Sequence, residues 1–229
     1  MPGRLTQILK LLIILLIPIF IISGATRLLA TDPYLAFEYN KAGFPPDSFG
    51  FTDQQRFILA STNIHYVRAH LPNDELSKQT LNGVPVYTLR EVSHMVDVQT
   101  VFQLILRVWW SVLLMILLSG IVLWGNKERM ALVSAIQSGG LLTSGMILII
   151  ALLAVFAWQF WFNTFHLIFF KPGSWLFLYS DALIRLFPVE FWFDATLTIS
   201  VLSLAGGSLL ALLGWRGRLV LAKLQAQNL

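Results

Sequence analysis

No cysteine occurs anywhere in the 229 residues. That absence removes disulfides, thiolate metal ligands and a thioester acyl-enzyme, and it leaves no thiol on the chain to be acylated. Charge is scarce too: 12% of residues are Asp, Glu, Lys or Arg, while 56% are hydrophobic. Soluble domains run near about 25% charged and about 45–50% apolar, so the composition describes an integral membrane protein. HExxH, GxSxG and a glycine-rich phosphate loop are all missing, as are tandem repeats and low-complexity tracts. The zinc-protease, serine-hydrolase and nucleotide-binding readings that depend on those motifs lose their basis.

What the chain does have is long apolar runs, each near the roughly 20 residues that cross a bilayer core. The first extends from Ile8 to about Leu29 and contains Pro18, which a membrane helix tolerates. The second lies within Val98–Trp124, the third within Leu141–Phe162 and the fourth within Ala195–Trp215. Arg4 and Lys10 precede the first run, and Ser23-Gly24-Ala25 could pass for a cleavage site. The length of that run and the three spans after it favour a retained anchor.

Orientation follows from lysine and arginine bias. The amino terminus, the 125–140 loop and the carboxyl tail together hold seven basic residues and one acid, Glu128. The opposite side, residues 25–97 and 163–194, holds eight basic and eleven acidic residues. Both termini are therefore expected in the cytoplasm. The net charge of +4 reads as a topology signal, and no nucleic-acid partner is expected. Trp124, Trp158, Trp161 and Trp215 sit near span ends, as interfacial aromatic belts do.

These boundaries predict a first transmembrane span within 1–30, an extracytoplasmic cap over 31–97, and three further spans within 98–229 with an interfacial loop at 163–194. The cap carries turn signals in "FPPDSFG" and "LPNDELS". Its "NGVPVYTL", 82–89, alternates well enough for a short strand or a hairpin edge, although Pro85 keeps it off a central strand. In the second loop, 180–187 reads as a short helix with Ser180 at its N-cap and Pro188 as its stop. The fold class is all-α transmembrane: a four-helix membrane bundle with a small extracytoplasmic α+β cap between spans one and two.

Two histidines stand at matched places. His94, in "REVSHMVDVQTVF", precedes span two; His166, in "FNTFHLIFFKPGSW", follows span three. A short loop joins those spans, so they should be antiparallel neighbours with both imidazoles on the outer side. Counting inward from Trp124 at about 1.5 Å per residue sets His94 further from the hydrocarbon than His166. Helix tilt, or a helix start after Asp97, would reconcile the two depths. Asp97 lies three residues beyond His94, and Asp181 and Asp194 lie downstream of His166. Each histidine could equally be an interfacial anchor bonded to a loop. His65 and His70, in a polar stretch, read as solvent-exposed. Ser93 and Ser174 are close enough in sequence for a Ser–His arrangement to be conceivable. Arg107 interrupts span two, either as a functional or paired intramembrane charge or as a snorkelling side chain. "SGG" at 138–140 and "AGGS" at 205–208 read as close helix-packing sites.

"EVSHMVDV" followed, two spans on, by "FHLIFF", Trp175, Asp181 and "LFPVEFWFD" resembles the family of four-span bacterial membrane proteins that includes the lipoprotein intramolecular transacylase. The resemblance covers essentially the whole chain and implies transfer of the sn-2 acyl chain of a diacylglyceryl-cysteine lipoprotein onto that cysteine's own α-amine. The product is a lyso-form lipoprotein. By this resemblance His94 and His166 are the essential pair; Asp97, Trp175, Asp181, Asp194 and Arg107 are the supporting candidates, with Trp175, Asp181 and Asp194 alternatively read as loop anchors. The implied partners are the diacylated lipoprotein amino terminus and membrane lipid, with no cofactor and no metal. The implied place is the bacterial cytoplasmic membrane, with the active site on its outer side.

Elementary chemistry is compatible with that implication. Amine and ester belong to one molecule, and positioning alone can contribute about 7–11 kcal/mol of the barrier. One imidazole would accept the amine proton and the other would donate to the tetrahedral oxyanion; His94, with Asp97 nearby, is favoured as the base. A bis-histidine haem or metal-binding protein, and a non-catalytic membrane scaffold or transporter, are the competing readings.

Overall fold

The computed structural model describes residues 2–227. Four helices are long and apolar enough to cross a membrane: α1 (Gly3–Leu29), α5 (Leu89–Gly125), α6 (Arg129–Phe156) and α9 (Val189–Gln227). Between α1 and α5 lie α2 (Asp32–Tyr39), α3 (Asp53–Ala69), α4 (Asp74–Ser77) and two short strands, β1 (Thr80–Leu81) and β2 (Val84–Pro85). Between α6 and α9 lie α7 (Trp158–Phe169) and α8 (Ala182–Leu186).

The chain divides into two compact units. One, residues 1–25, 107–152 and 198–229, is a bundle of α1, the second half of α5, α6 and α9. Its small core is Ile13, Ile17, Leu123 and Ala135, and large apolar side chains such as Leu15, Ile121, Ile149 and Leu213 are exposed around it. Exposed apolar surface of that kind suits lipid rather than water. Within lipid, helices gain little from hiding leucines and associate instead by close backbone approach. The two glycine pairs of the sequence supply that approach. A Cβ at Gly207 would come 2.9 Å from the Gly140 carbonyl oxygen, and one at Gly214 would come 2.5 Å from the Gln137 amide nitrogen. Only three residues, 126–128, connect α5 to α6, and Lys127 there adopts φ +63°. The connection is therefore much shorter than the 125–140 loop expected, because Arg129 and its successors are already helical.

The other unit, residues 26–106 and 153–197, contains the cap, the outer turns of α5, α7, α8 and the first turns of α9. Leu35, Tyr66, Leu76, Tyr87, Phe102 and Leu186 belong to its core. Thr52 opens α3 with a capping box closed by Gln55, an arrangement in which the cap is worth roughly 1 kcal/mol. Asn82 and Gly83, both at positive φ, form the two-residue turn between β1 and β2. Of the two readings of 82–89, the hairpin edge is the one observed, and it is shorter than the alternation suggests: residues 82–83 turn, as Asn-Gly favours, and Pro85 pairs with Thr80 in a two-stranded ribbon.

Polar ties attach the 163–194 segment to the cap. Arg56 donates through Nε and Nη2 to the carbonyl oxygen of Arg185 at 3.1 and 2.8 Å. Arg185 in turn grips the Asp47 carboxylate with two bonds of 2.8 and 3.0 Å. Tyr39 donates its hydroxyl to Leu186 O at 2.6 Å. The short helix is α8, and its N-cap is Asp181 rather than the expected Ser180. The Asp181 carboxylate is turned back to accept from the Leu178 amide at 2.8 Å.

Candidate functional site

Helix α5 begins well before the apolar run does. Thr88 and Glu91 form a capping pair: the Glu91 carboxylate accepts from Thr88 N at 2.8 Å, and Thr88 Oγ1 accepts from Glu91 N at 3.3 Å. The other oxygen of Glu91, a residue only 1% exposed, accepts from Leu183 N at 2.8 Å. So the helix starts at Leu89, not after Asp97, and His94 lies in its second turn, one turn beyond a buried, fully used carboxylate. At 37 residues and 1.5 Å per residue, α5 is about 55 Å long, far more than a hydrocarbon core of about 30 Å needs.

The third apolar run is not one helix. α6 ends at Phe156, Ala157 leaves helical geometry with φ −144° and ψ 48°, and α7 then carries the chain from Trp158 to Phe169. The expected span over 141–162 thus crosses a break. His166 is held two turns into this separate helix, so its position is not set by counting residues along α6. Trp158, Phe162, His166 and Phe170 follow one another at four-residue spacing, one stripe of a helix. Their rings touch in succession: Trp158 to Phe162 at 5.5 Å, Phe162 to His166 at 4.1 Å, and His166 to Phe170 at 5.6 Å between centroids.

Phe170 brings the histidines together. Its ring is also 5.0 Å from the His94 ring, edge-on. Phe177 is on His94 as well, at 5.5 Å, and the Arg90 guanidinium lies over Phe177 at 5.1 Å. The Trp175 ring is 5.2 Å from His166. The two imidazoles therefore share one aromatic enclosure, and His94 is only 9% exposed.

The hydrogen bonds of the enclosure are incomplete. His166 Nδ1 is 2.7 Å from the Phe162 carbonyl oxygen; a carbonyl only accepts, so Nδ1 carries the proton and Nε2 is left with its lone pair. Burial pushes the His166 imidazole below its usual range, and the Phe162 carbonyl opposes that shift. The ring is consequently neutral at neutral pH. His94 Nδ1, Ser174 Oγ and Trp175 Nε1 are buried with no hydrogen-bond partner among the described residues. Native proteins satisfy nearly all buried polar atoms; Asn63 Oδ1 and the Gln79 amide are open too, away from the histidines.

The remaining expected residues are distributed differently. Asp97 makes no hydrogen bond to His94 among those found for the described residues. Asp194 pairs with Lys41 and, with Phe44, Trp158, Glu190 and Phe193, lines a cavity of about 420 Å³ that neither histidine borders. Arg107 is exposed on α5 and belongs to the bundle unit. Ser93 is exposed although its neighbour His94 is buried. His65 and His70 are exposed, with His65 Nε2 2.9 Å from Asp32. Phe162, Phe170 and Phe177 were not foreseen individually; the four-residue stripe on α7 is the signal in the sequence that marks the first two. Glu38 was also missed: it is 0% exposed, and burial pushes its carboxyl above the usual range.

The fold and the site together define a four-span helical membrane protein with two imidazoles in one aromatic enclosure. Comparison narrows the class. The model of the lipoprotein intramolecular transacylase family matches residues 11–192, and the chain belongs to that family. It is also 29% identical, over 213 residues, to an uncharacterized protein of Aquifex aeolicus (strain VF5), covering 93% of this chain and 95% of that one. Among solved structures, the in meso structure of the membrane-integral lipoprotein intramolecular transacylase from Bacillus cereus superposes with a TM-score of 0.77 at 21% identity, covering 97% of this chain and 99% of that one. A variant of the same enzyme in which a histidine is replaced by arginine gives a TM-score of 0.69 at 20% identity, covering 98% and 96%. These likenesses establish the fold, and the family match establishes acyl transfer on lipoproteins as the family activity.

Proposed function

We propose that this protein transfers the sn-2 acyl chain of a diacylglyceryl-cysteine lipoprotein to that cysteine's α-amine, with His94 and His166 as the reacting pair. The observation that carries the reading is the shared enclosure: one buried and one half-buried imidazole on one phenylalanine ring, with open hydrogen-bonding atoms beside them.

His166 is the base. Its Nδ1–H is fixed on the Phe162 carbonyl, which orients the Nε2 lone pair, and burial keeps the ring neutral. The α-amine nitrogen attacks the ester carbonyl carbon while Nε2 takes its proton. The tetrahedral intermediate then expels the sn-2 oxygen of glycerol, which recovers that proton from the imidazolium. An ester and an amine become an amide and an alcohol, so atoms and protons balance within one substrate and no acyl-enzyme is needed. His94, with one ring nitrogen free, hydrogen-bonds to the intermediate. This assignment moves the base away from His94, because His94 has no carboxylate bonded to it while His166 has its tautomer set by the backbone. Trp175 is part of the working site, Asp181 holds its approach loop through Leu178, and Asp194 secures the base of α9 to Lys41. Arg107 acts at the lipid surface.

The site faces outward across the bacterial cytoplasmic membrane and both termini are cytoplasmic. The charge bias of the flanks supports this; a periplasmic-type reporter should be active after residue 60 and silent after residue 133. The activity itself is tested by mass spectrometry of lipoprotein amino-terminal peptides from a host that lacks lyso-form lipoprotein and expresses this chain. The expected product is N-acylated and S-monoacylglycerylated. Unchanged diacylglyceryl peptides, with the protein present in the membrane, would refute the reading.

A further inference from the structure

We propose that the indole Nε1–H of Trp175 is an oxyanion donor, contacting the oxygen of the carbonyl under attack; this rests on the reaction proposed above. Trp175 is 8% exposed, yet its Nε1 has no hydrogen-bond partner among the described residues. Buried indole N–H groups usually find one. Indole is a donor only, so whatever completes it must be an acceptor, and a reacting ester presents one. The neighbouring Ser174 hydroxyl is also open, but a hydroxyl can rotate between donating and accepting, whereas the indole direction is fixed by the ring.

Geometry supports the role. The Trp175 ring lies 5.2 Å from the His166 ring at an interplanar angle of 33°, so the open donor is carried on a ring packed beside that of the base. A turn holds the tryptophan there: Gly173 takes φ +82°, a value that favours glycine, Ser174 N donates to Lys171 O at 3.1 Å and Leu176 N donates to Gly173 O at 3.3 Å. As the amine attacks, the carbonyl π electrons move to oxygen, and the N–H bond to that oxygen strengthens as its charge grows. On collapse the electrons return to re-form the carbonyl and the glycerol oxygen leaves. The indole neither gains nor loses a proton, so its contribution is independent of pH in the working range, unlike that of either imidazole.

The test uses the purified full-length protein in lipid and a synthetic diacylglyceryl lipopeptide. Trp175→Phe keeps a ring against His166 and removes the donor; benzothienylalanine at the same position keeps the bicyclic shape, with sulfur in place of N–H. For either variant kcat should fall about 10²–10³-fold with KM little changed. With the sn-2 ester replaced by a thionoester, whose sulfur accepts hydrogen bonds poorly, the same variants should lose less than about tenfold relative to wild type. A benzothienylalanine protein with near wild-type kcat overturns the proposal, as does a loss of equal size on ester and thionoester, which would mark a packing role. A wild-type protein that forms no lyso-form product at all overturns the underlying reaction and this assignment with it.

Discussion

The two compact units of this chain solve opposite problems. In the bundle unit, close contacts come from absent side chains: Gly140, Gly207 and Gly214 let α6 and α9 touch backbone to backbone. In the other unit, several buried charges are tied by hydrogen bonds. Glu91 caps α5 and binds α8, Arg56 binds two carbonyl oxygens, and Asp47 binds Arg185 and two amides. Among the described residues Asn63 Oδ1 and the Gln79 amide of this unit are open as well, but the open atoms of His94 and Trp175 are the ones carried on rings of the histidine enclosure. What sets these atoms apart is their place, on rings packed around two histidines, rather than their being open.

The comparison can be broken unit by unit. The largest effect should come from Asp47→Ala. Its carboxylate and the Arg185 guanidinium are 1% and 13% exposed, and removing one member of a buried pair typically costs about 3–5 kcal/mol. Thermal unfolding in detergent should show a lowered Tm, with loss of protection from proteolysis in the cap. Burial alone would raise the Asp47 carboxyl, but the Arg185 bond and the Phe51 and Phe49 amides bring it down to about 2. A depressed native value means stability present above the unfolded value of about 3.9 and lost as pH falls from there through about 2. Stability measured over that window should decline more steeply in wild type than in Asp47→Ala.

A somewhat smaller loss is expected from Gly214→Val in the bundle. The added Cβ meets Gln137 N and Val133 O, at 2.5 and 2.7 Å, and backbone cannot rotate aside; overpacking of this kind costs about 1–3 kcal/mol or more. Gly145→Ala is the counterpart, since nothing lies within 4 Å of its Cβ; removing a helical glycine should leave Tm unchanged or slightly raised. Equal behaviour of the two variants would remove the distinction drawn for glycine packing.

The smallest expected effect is a displacement of a pH profile. Burial lowers the His166 imidazole, so the acid limb of kcat, which reports groups in the bound complex, should fall below the unperturbed histidine value of about 6.5. A limb at or above that value would contradict a buried neutral base.

Much of this was legible from residue order. Four spans, the histidine pair and the glycine contacts follow from hydropathy and spacing. The break at Ala157 was not legible, because neither proline nor glycine marks it and the apolar run reads straight through. The Asn82-Gly83 turn and the Thr88-x-x-Glu91 cap were present as local signals, and reading them would have shortened the strand and started α5 before His94. The partner of Asp194 could not be read, since Lys41 lies 153 positions away and only the fold pairs them. For the same reason the main-chain carbonyl that orients an imidazole, Phe162 O one turn before His166, gave no signal in the sequence, where Asp97 beside His94 was the visible neighbour.

The most direct test of the histidine pair compares His94→Ala, His166→Ala and the double variant, matched for folded protein by size-exclusion profile and Tm, in a lyso-form lipoprotein assay. Removing a general base typically costs about 10²–10⁴-fold, and groups that act as one unit are strongly non-additive. Each single variant should therefore lose activity in that range and the double should be little worse than either, while His65→Ala, an exposed control, keeps near-normal turnover. A folded His166→Ala protein producing lyso-form lipoprotein at the wild-type rate would contradict the account.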